Sequence, residues 1–124
     1  MARVLSHQGY NSLARGDDID AQNSFIAVLR LVREGGFMPF ALDALAGLAS
    51  LQAKQGDREH ALELLLMVLN HPASLQETKD RASDLRVDLE TQLTPTQIEA
   101  IQAHAGEETF EAVVEDLLTD VTQP

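Results

Sequence analysis

The chain has 124 residues, 44% apolar but only 4% aromatic, with nine Lys and Arg against twenty Asp and Glu and a net charge of −11. That length buries one core packed by Leu, Ala and Val, while the charge argues against nucleic acid, whose binding rests on neutralising phosphates with Lys and Arg. The absence of cysteine removes disulfides, zinc–thiolate sites and thiol nucleophiles, and with no membrane-spanning stretch and no signal-peptide layout a cytoplasmic protein is expected.

Helical periodicity runs through the chain and no alternating strand pattern competes with it. The first helix is predicted over about residues 2–14 and the second over 18–33. Gly16 stops the first, because the residue past a helix end often takes the left-handed conformation that glycine reaches without a Cβ penalty. Asp17 follows, placed to accept from free N–H groups at the start of the second helix. The third helix starts near Pro39, after Gly35-Gly36, and ends before Gly56. The fourth covers 58–69, and its run from Ala61 to Leu69 is apolar nearly all round, so it is covered from several sides.

The second pair repeats the first after forty residues: Leu5, Gly9, Gly16-Asp17, Ala21, Phe25 and Val28-Leu29 return as Leu45, Ala49, Gly56-Asp57, Ala61, Leu65 and Val68-Leu69. Ala21 and Ala61 mark the close crossing of two helices in a hairpin, with Phe25 and Leu65 one turn on to fill the gap. One such unit cannot bury its apolar face alone, so the expected fold is all-α, a short helical-repeat solenoid.

Beyond the repeats, Ser74 with Glu77 reads as a capping box opening a fifth helix, with Leu75, Thr78, Ala82, Leu85 and Leu89 inward and Asp80, Asp84 and Asp88 outward. Thr94 with Gln97 is a second box, with Leu93 and Ile98 as its hydrophobic staple, opening a short sixth helix that ends near Gly106. A seventh carries Phe110, Val113, Val114, Leu117, Leu118 and Val121 on one stripe. That stripe is expected to dock on its own solenoid, showing Glu108, Glu111 and Glu115 to solvent. The organisation is then one domain, with two repeats over 1–72 and capping helices over 73–124.

The positions Gly9, Gly16, Ala21 and Phe25, and then Ala49, Gly56, Ala61 and Leu65, resemble the tetratricopeptide repeat, whose pattern runs W-x2-L-G-x2-Y, a glycine turn, then A-x3-F. The resemblance covers roughly residues 3–72. The aromatic positions depart from it, holding Leu5 and Ser12, then Leu45 and Gln52. The forty-residue period, lengthened by the connection from Glu34 to Pro39, is similar to the C-terminal repeats of large bacterial signalling NTPases and LuxR-type transcriptional activators. It implies a C-terminal piece of such a protein and a non-catalytic protein–protein interaction module. The partner would be a protein or peptide, or another domain of the parent chain.

Residue chemistry agrees with a non-enzyme. His7, His60, His71 and His104 lack metal-ligand spacing, so neither metal nor cofactor is expected. Asp17-Asp18-Ile19-Asp20 lacks the glycine and distal glutamate of a calcium loop. If Leu5, Gly9 and Leu13 face inward, Arg3, His7, Tyr10 and Ala14 form a second face. The forty-residue shift sets Asp43, Gly47, Ser50 and Lys54 beside it, giving a concave partner-binding side. Tetratricopeptide domains that hold acidic C-terminal peptides use a Lys, Asn and Arg clamp there, and this set supplies only Arg3 and Lys54. The alternative function is self-assembly, a homodimer built on an uncovered edge bearing Val4, Leu13 and Ile26.

Overall fold

The computed structural model describes the backbone of residues 2–35, 37–105 and 109–122, and the side chains of 4–35, 37–104 and 109–119. Among these residues the chain is all-helical, in seven helices: α1 (Ala2–Ala14), α2 (Asp18–Arg33), α3 (Met38–Lys54), α4 (Arg58–Asn70), α5 (Gln76–Glu90), α6 (Pro95–Ala105) and α7 (Phe110–Thr122). No helix among them is long and apolar enough to cross a membrane.

The two glycine turns are built alike. Gly16 sits at φ +79° and Gly56 at +95°. The Asp17 N–H donates to the Ser12 carbonyl at 2.8 Å and the Gly16 N–H to the Leu13 carbonyl at 3.1 Å; Asp57 and Gly56 repeat this with Gln52 at 2.9 Å and Ala53 at 3.2 Å. These paired bonds close the last turn of one helix. The same aspartates open the next, their carboxylates accepting from the N–H groups of Asp20 at 3.3 Å and His60 at 3.4 Å. One short link therefore ends a helix and starts another, which fixes α1 against α2 and α3 against α4.

Contacts then run between the pairs. The helix α3 touches both α1 and α2, and α5 lies on both α3 and α4. The centre of the packing is Phe25, fully buried. A Cβ on Gly9 would stand 2.6 Å from its Cε1 and one on Gly47 only 2.3 Å from its Cζ, so glycines on α1 and α3 form the slot that admits the ring. In the second hairpin Ala49 and Leu65, both fully buried, take the places of Gly9 and Phe25. Ala21 and Ala61 are likewise inaccessible, as close-crossing positions require.

The C-terminal helices depart from a simple end cap. Only α5 continues the row; α6 packs on α4 and α7 on α2, so the chain folds back over the second helices of the two pairs. What draws α7 there is its apolar stripe: Val113, Val114, Leu117 and Leu118 are all buried. Phe110 and Val114 share a gap of about 210 Å³ with Leu29, Val32, Met38 and Ala41, and Arg33 reaches Glu115 at 3.3 Å across the rim. Of the predicted stripe and its acidic flank, the Val121 side chain and Glu108 lie outside the described residues.

Two further expectations need correction. Ser74 does not cap α5: Leu75 holds the N-cap position without a side-chain bond, while the buried Ser74 hydroxyl donates to the Val68 carbonyl at 2.6 Å. That carbonyl lies in the last turn of α4, where Pro72 offers no N–H four residues on and the backbone supplies only a long bond from the His71 N–H, at 3.4 Å. Nor is the edge of the first pair bare. Ile26 is buried, on the helix that receives α7, and Leu13 is half-buried, leaving Val4 and Ile19 as the exposed large apolar residues there. The box at Thr94 forms as predicted, its N–H and hydroxyl exchanging bonds with Gln97 at 2.9 and 3.2 Å.

Candidate functional site

Because α3 touches α1 on one side and α5 on the other, these three helices wall a cleft of about 590 Å³. Its lining comes from Ser6, His7, Tyr10 and Asn11 of α1, Pro39, Phe40 and Asp43 of α3, and Leu75, Glu77, Thr78 and Arg81 at and along α5.

Asp43 is the node that joins the three walls. One carboxylate oxygen accepts from the Ser6 hydroxyl, and the other from the Thr78 hydroxyl at 3.1 Å and the Arg81 guanidinium at 2.7 Å. Its main-chain carbonyl accepts from the Tyr10 hydroxyl at 2.8 Å. Two of these are charge-assisted by the carboxylate alone and one is a full ion pair, the strongest class of polar contact in proteins.

Tyr10 occupies the middle of a layered arrangement. On its inner side the ring meets Phe25 edge to face, centroids 5.0 Å apart; on its outer side the Arg81 guanidinium stands 3.9 Å from the ring centroid. The ring quadrupole attracts the cation there. Burial, and then the nearby Asp43 carboxylate, raise the phenol well above its ordinary pKa, so it stays a neutral hydrogen-bond donor. Core packing thus passes without a break into the cleft wall: the Gly9–Gly47 slot sets Phe25, Phe25 sets Tyr10, and Tyr10 seats Arg81.

Of the residues predicted for a concave face, His7, Tyr10 and Asp43 come together in this cleft. The other members lie elsewhere. Gly47 is buried beneath Phe25, Ser50 bonds back to the Ala46 carbonyl of its own helix at 3.3 Å, and Lys54 pairs with Asp18 at 2.8 Å near the hairpin turns. The Arg3 side chain lies outside the described residues. Sequence reasoning missed Ser6, Asn11, Phe40, Thr78 and Arg81. The forty-residue shift cannot reach α5, whose side of the cleft falls after the repeat has ended; the one available signal was Asp43, an acid inside the otherwise apolar run of α3.

The three histidines outside the cleft have local roles. His71 accepts from the Ala73 N–H at 3.0 Å and meets Phe110 edge to face, His104 lies 3.5 Å from Glu63 and His60 3.9 Å from Asp57. Among the described residues no three His, Asp or Glu side chains gather as a metal site would require. Comparison of the chain with protein-family models, curated proteins and solved structures finds no match.

Proposed function

We propose that this chain is a non-catalytic protein–protein interaction module, a short tetratricopeptide-like solenoid whose α1–α3–α5 cleft receives a segment of a protein or peptide partner. The reading is carried by one observation: the first helices of two successive hairpins and the helix that follows stand side by side, leaving an open cleft lined by aromatic, apolar and hydrogen-bonding side chains. Stacked hairpins expose such a surface because each buries one side against its neighbour and leaves the other to solvent. Among the described residues the side chains of His7 and Asn11 stand exposed in the cleft without a hydrogen bond, free to meet a ligand. The role as the C-terminal regulatory or scaffold part of a larger bacterial signalling or transcription-regulatory protein, and its cytoplasmic setting, belong to the same proposal.

The test is site-directed photo-crosslinking in cells. A photoreactive residue at His7 or Asn11 should capture a defined partner, and one at exposed Glu99 on α6 should not. Equal capture from both positions, or none from the cleft, overturns the reading.

A further inference from the structure

We propose that the cleft is a receptor for an arginine side chain carried by a basic partner segment, and that Arg81 holds that seat in the free protein. The inference rests on the cleft being the partner site and names the partner's chemistry.

A guanidinium binds best between an aromatic face and a carboxylate, where its planar fork and weak hydration are both used. Tyr10 and Asp43 supply that pair, and Arg81 demonstrates the fit: 3.9 Å over the ring and 2.7 Å from the carboxylate. The seat does not depend on its occupant. With Arg81 withdrawn, Asp43 still accepts from Ser6 and Thr78, and Tyr10 still donates to the Asp43 carbonyl and packs on Phe25. A cation site that keeps its geometry when empty is preorganised for a replacement.

Arg81 also has another place to go. Its side chain is 38% exposed, and its second terminal nitrogen is already 3.7 Å from Glu77, a residue 85% exposed one turn earlier. Swinging outward therefore exchanges one carboxylate for another instead of stranding a charge. On the outward side of the same helix, Asp80 and Asp84 are exposed and carry no ion pair among the described residues, on a chain of net charge −11. Such a field draws basic segments and repels acidic ones, with a strength that salt reduces.

Tyr10 is the only tyrosine and there is no tryptophan, so intrinsic fluorescence reports directly on the seat. In Arg81→Ala, methylguanidinium should change this fluorescence saturably and raise the melting temperature, ahead of methylammonium and sodium chloride at equal concentration. A blocked Gly-Arg-Gly peptide should bind Arg81→Ala about tenfold more tightly than wild type, the gain expected if Arg81 fills the seat for roughly nine-tenths of the time. Adding Asp43→Asn should abolish that gain. Arg81→Gln, which keeps most of the aliphatic stem, gives the same reading if the alanine variant folds poorly. Methylguanidinium acting no better than methylammonium, or an arginine peptide gaining nothing from the substitution, overturns the proposal. A partner cross-linked at His7 whose binding ignores Asp43→Asn likewise removes the arginine seat while leaving the cleft reading intact, whereas loss of all cleft cross-links removes both.

Discussion

Replacing Gly47 with alanine tests the Phe25 slot directly. The added Cβ would stand 2.3, 2.5 and 2.6 Å from three atoms of the Phe25 ring, where ordinary van der Waals contact begins at 3.4 Å, so ring or helix must yield by about an ångström. The ring cannot retreat toward α1, because a Cβ-free Gly9 already marks the limit of approach there. Overpacking of this kind costs about 1–3 kcal/mol, and replacing a helical glycine by alanine returns about 0.5–1 kcal/mol. The net is a loss of up to about 2.5 kcal/mol, centred near about 1 kcal/mol. Phe25→Leu copies the arrangement of the second hairpin, where Leu65 takes the place of Phe25, and should restore room for the new methyl group. The assay is urea unfolding of both single variants and the double. The double should be more stable than the sum of the single losses by at least about 0.5 kcal/mol, the margin beyond which distant sites no longer count as additive. Additive losses, or a Gly47→Ala protein more stable than wild type, would refute the slot.

Ala61→Glu places a carboxylate at a fully buried crossing and should lower stability by several kcal/mol, read as a large fall in the thermal melt. On α7, Leu117→Ala should cost about 2–5 kcal/mol and Glu115→Ala less than about 1 kcal/mol, because the pair with Arg33 is 57% and 46% exposed; denaturant titration of the two variants checks the order. Tyr10 binds its proton more tightly in the folded state than in the unfolded chain. Its contribution is therefore complete below the ordinary tyrosine value near 10 and is lost as pH rises above it toward the higher folded value. Tyrosinate absorbance should appear together with unfolding in alkaline solution, and Tyr10→Phe should flatten the fall in stability over that range.

Much of the local architecture was legible because short-range chemistry decides it. Both glycine turns, the double role of Asp17 and Asp57, and the exchange between Thr94 and Gln97 are contained within spans of six residues or fewer, and each formed as its residue types dictate. Ser74 misled because a hydroxyl three residues before Glu77 has two possible uses, and the nearby Val68 carbonyl took it. The return of α7 to α2 lay beyond reach, since an amphipathic stripe announces that it will be buried but not against what. The cleft was half legible. Repeat phasing brought His7, Tyr10 and Asp43 together, but Gly47 looked like a neighbour on that face and instead makes room for Phe25.

The fold-back of the last helix also sets a timetable for synthesis. The segment of α2 that carries Leu29 and Val32 leaves the ribosome well before Phe110 and Val114, which share its apolar gap. At about 5–20 residues per second, the intervening stretch of nearly eighty residues takes on the order of 4–15 s. Helices form in about a microsecond by comparison, so those of the first pair have time to form while the face of α2 that α7 will cover stays bare for almost the whole of that interval. The nascent chain therefore carries an apolar strip on α2 that the finished protein does not show, and a chaperone acting on this chain would meet it there.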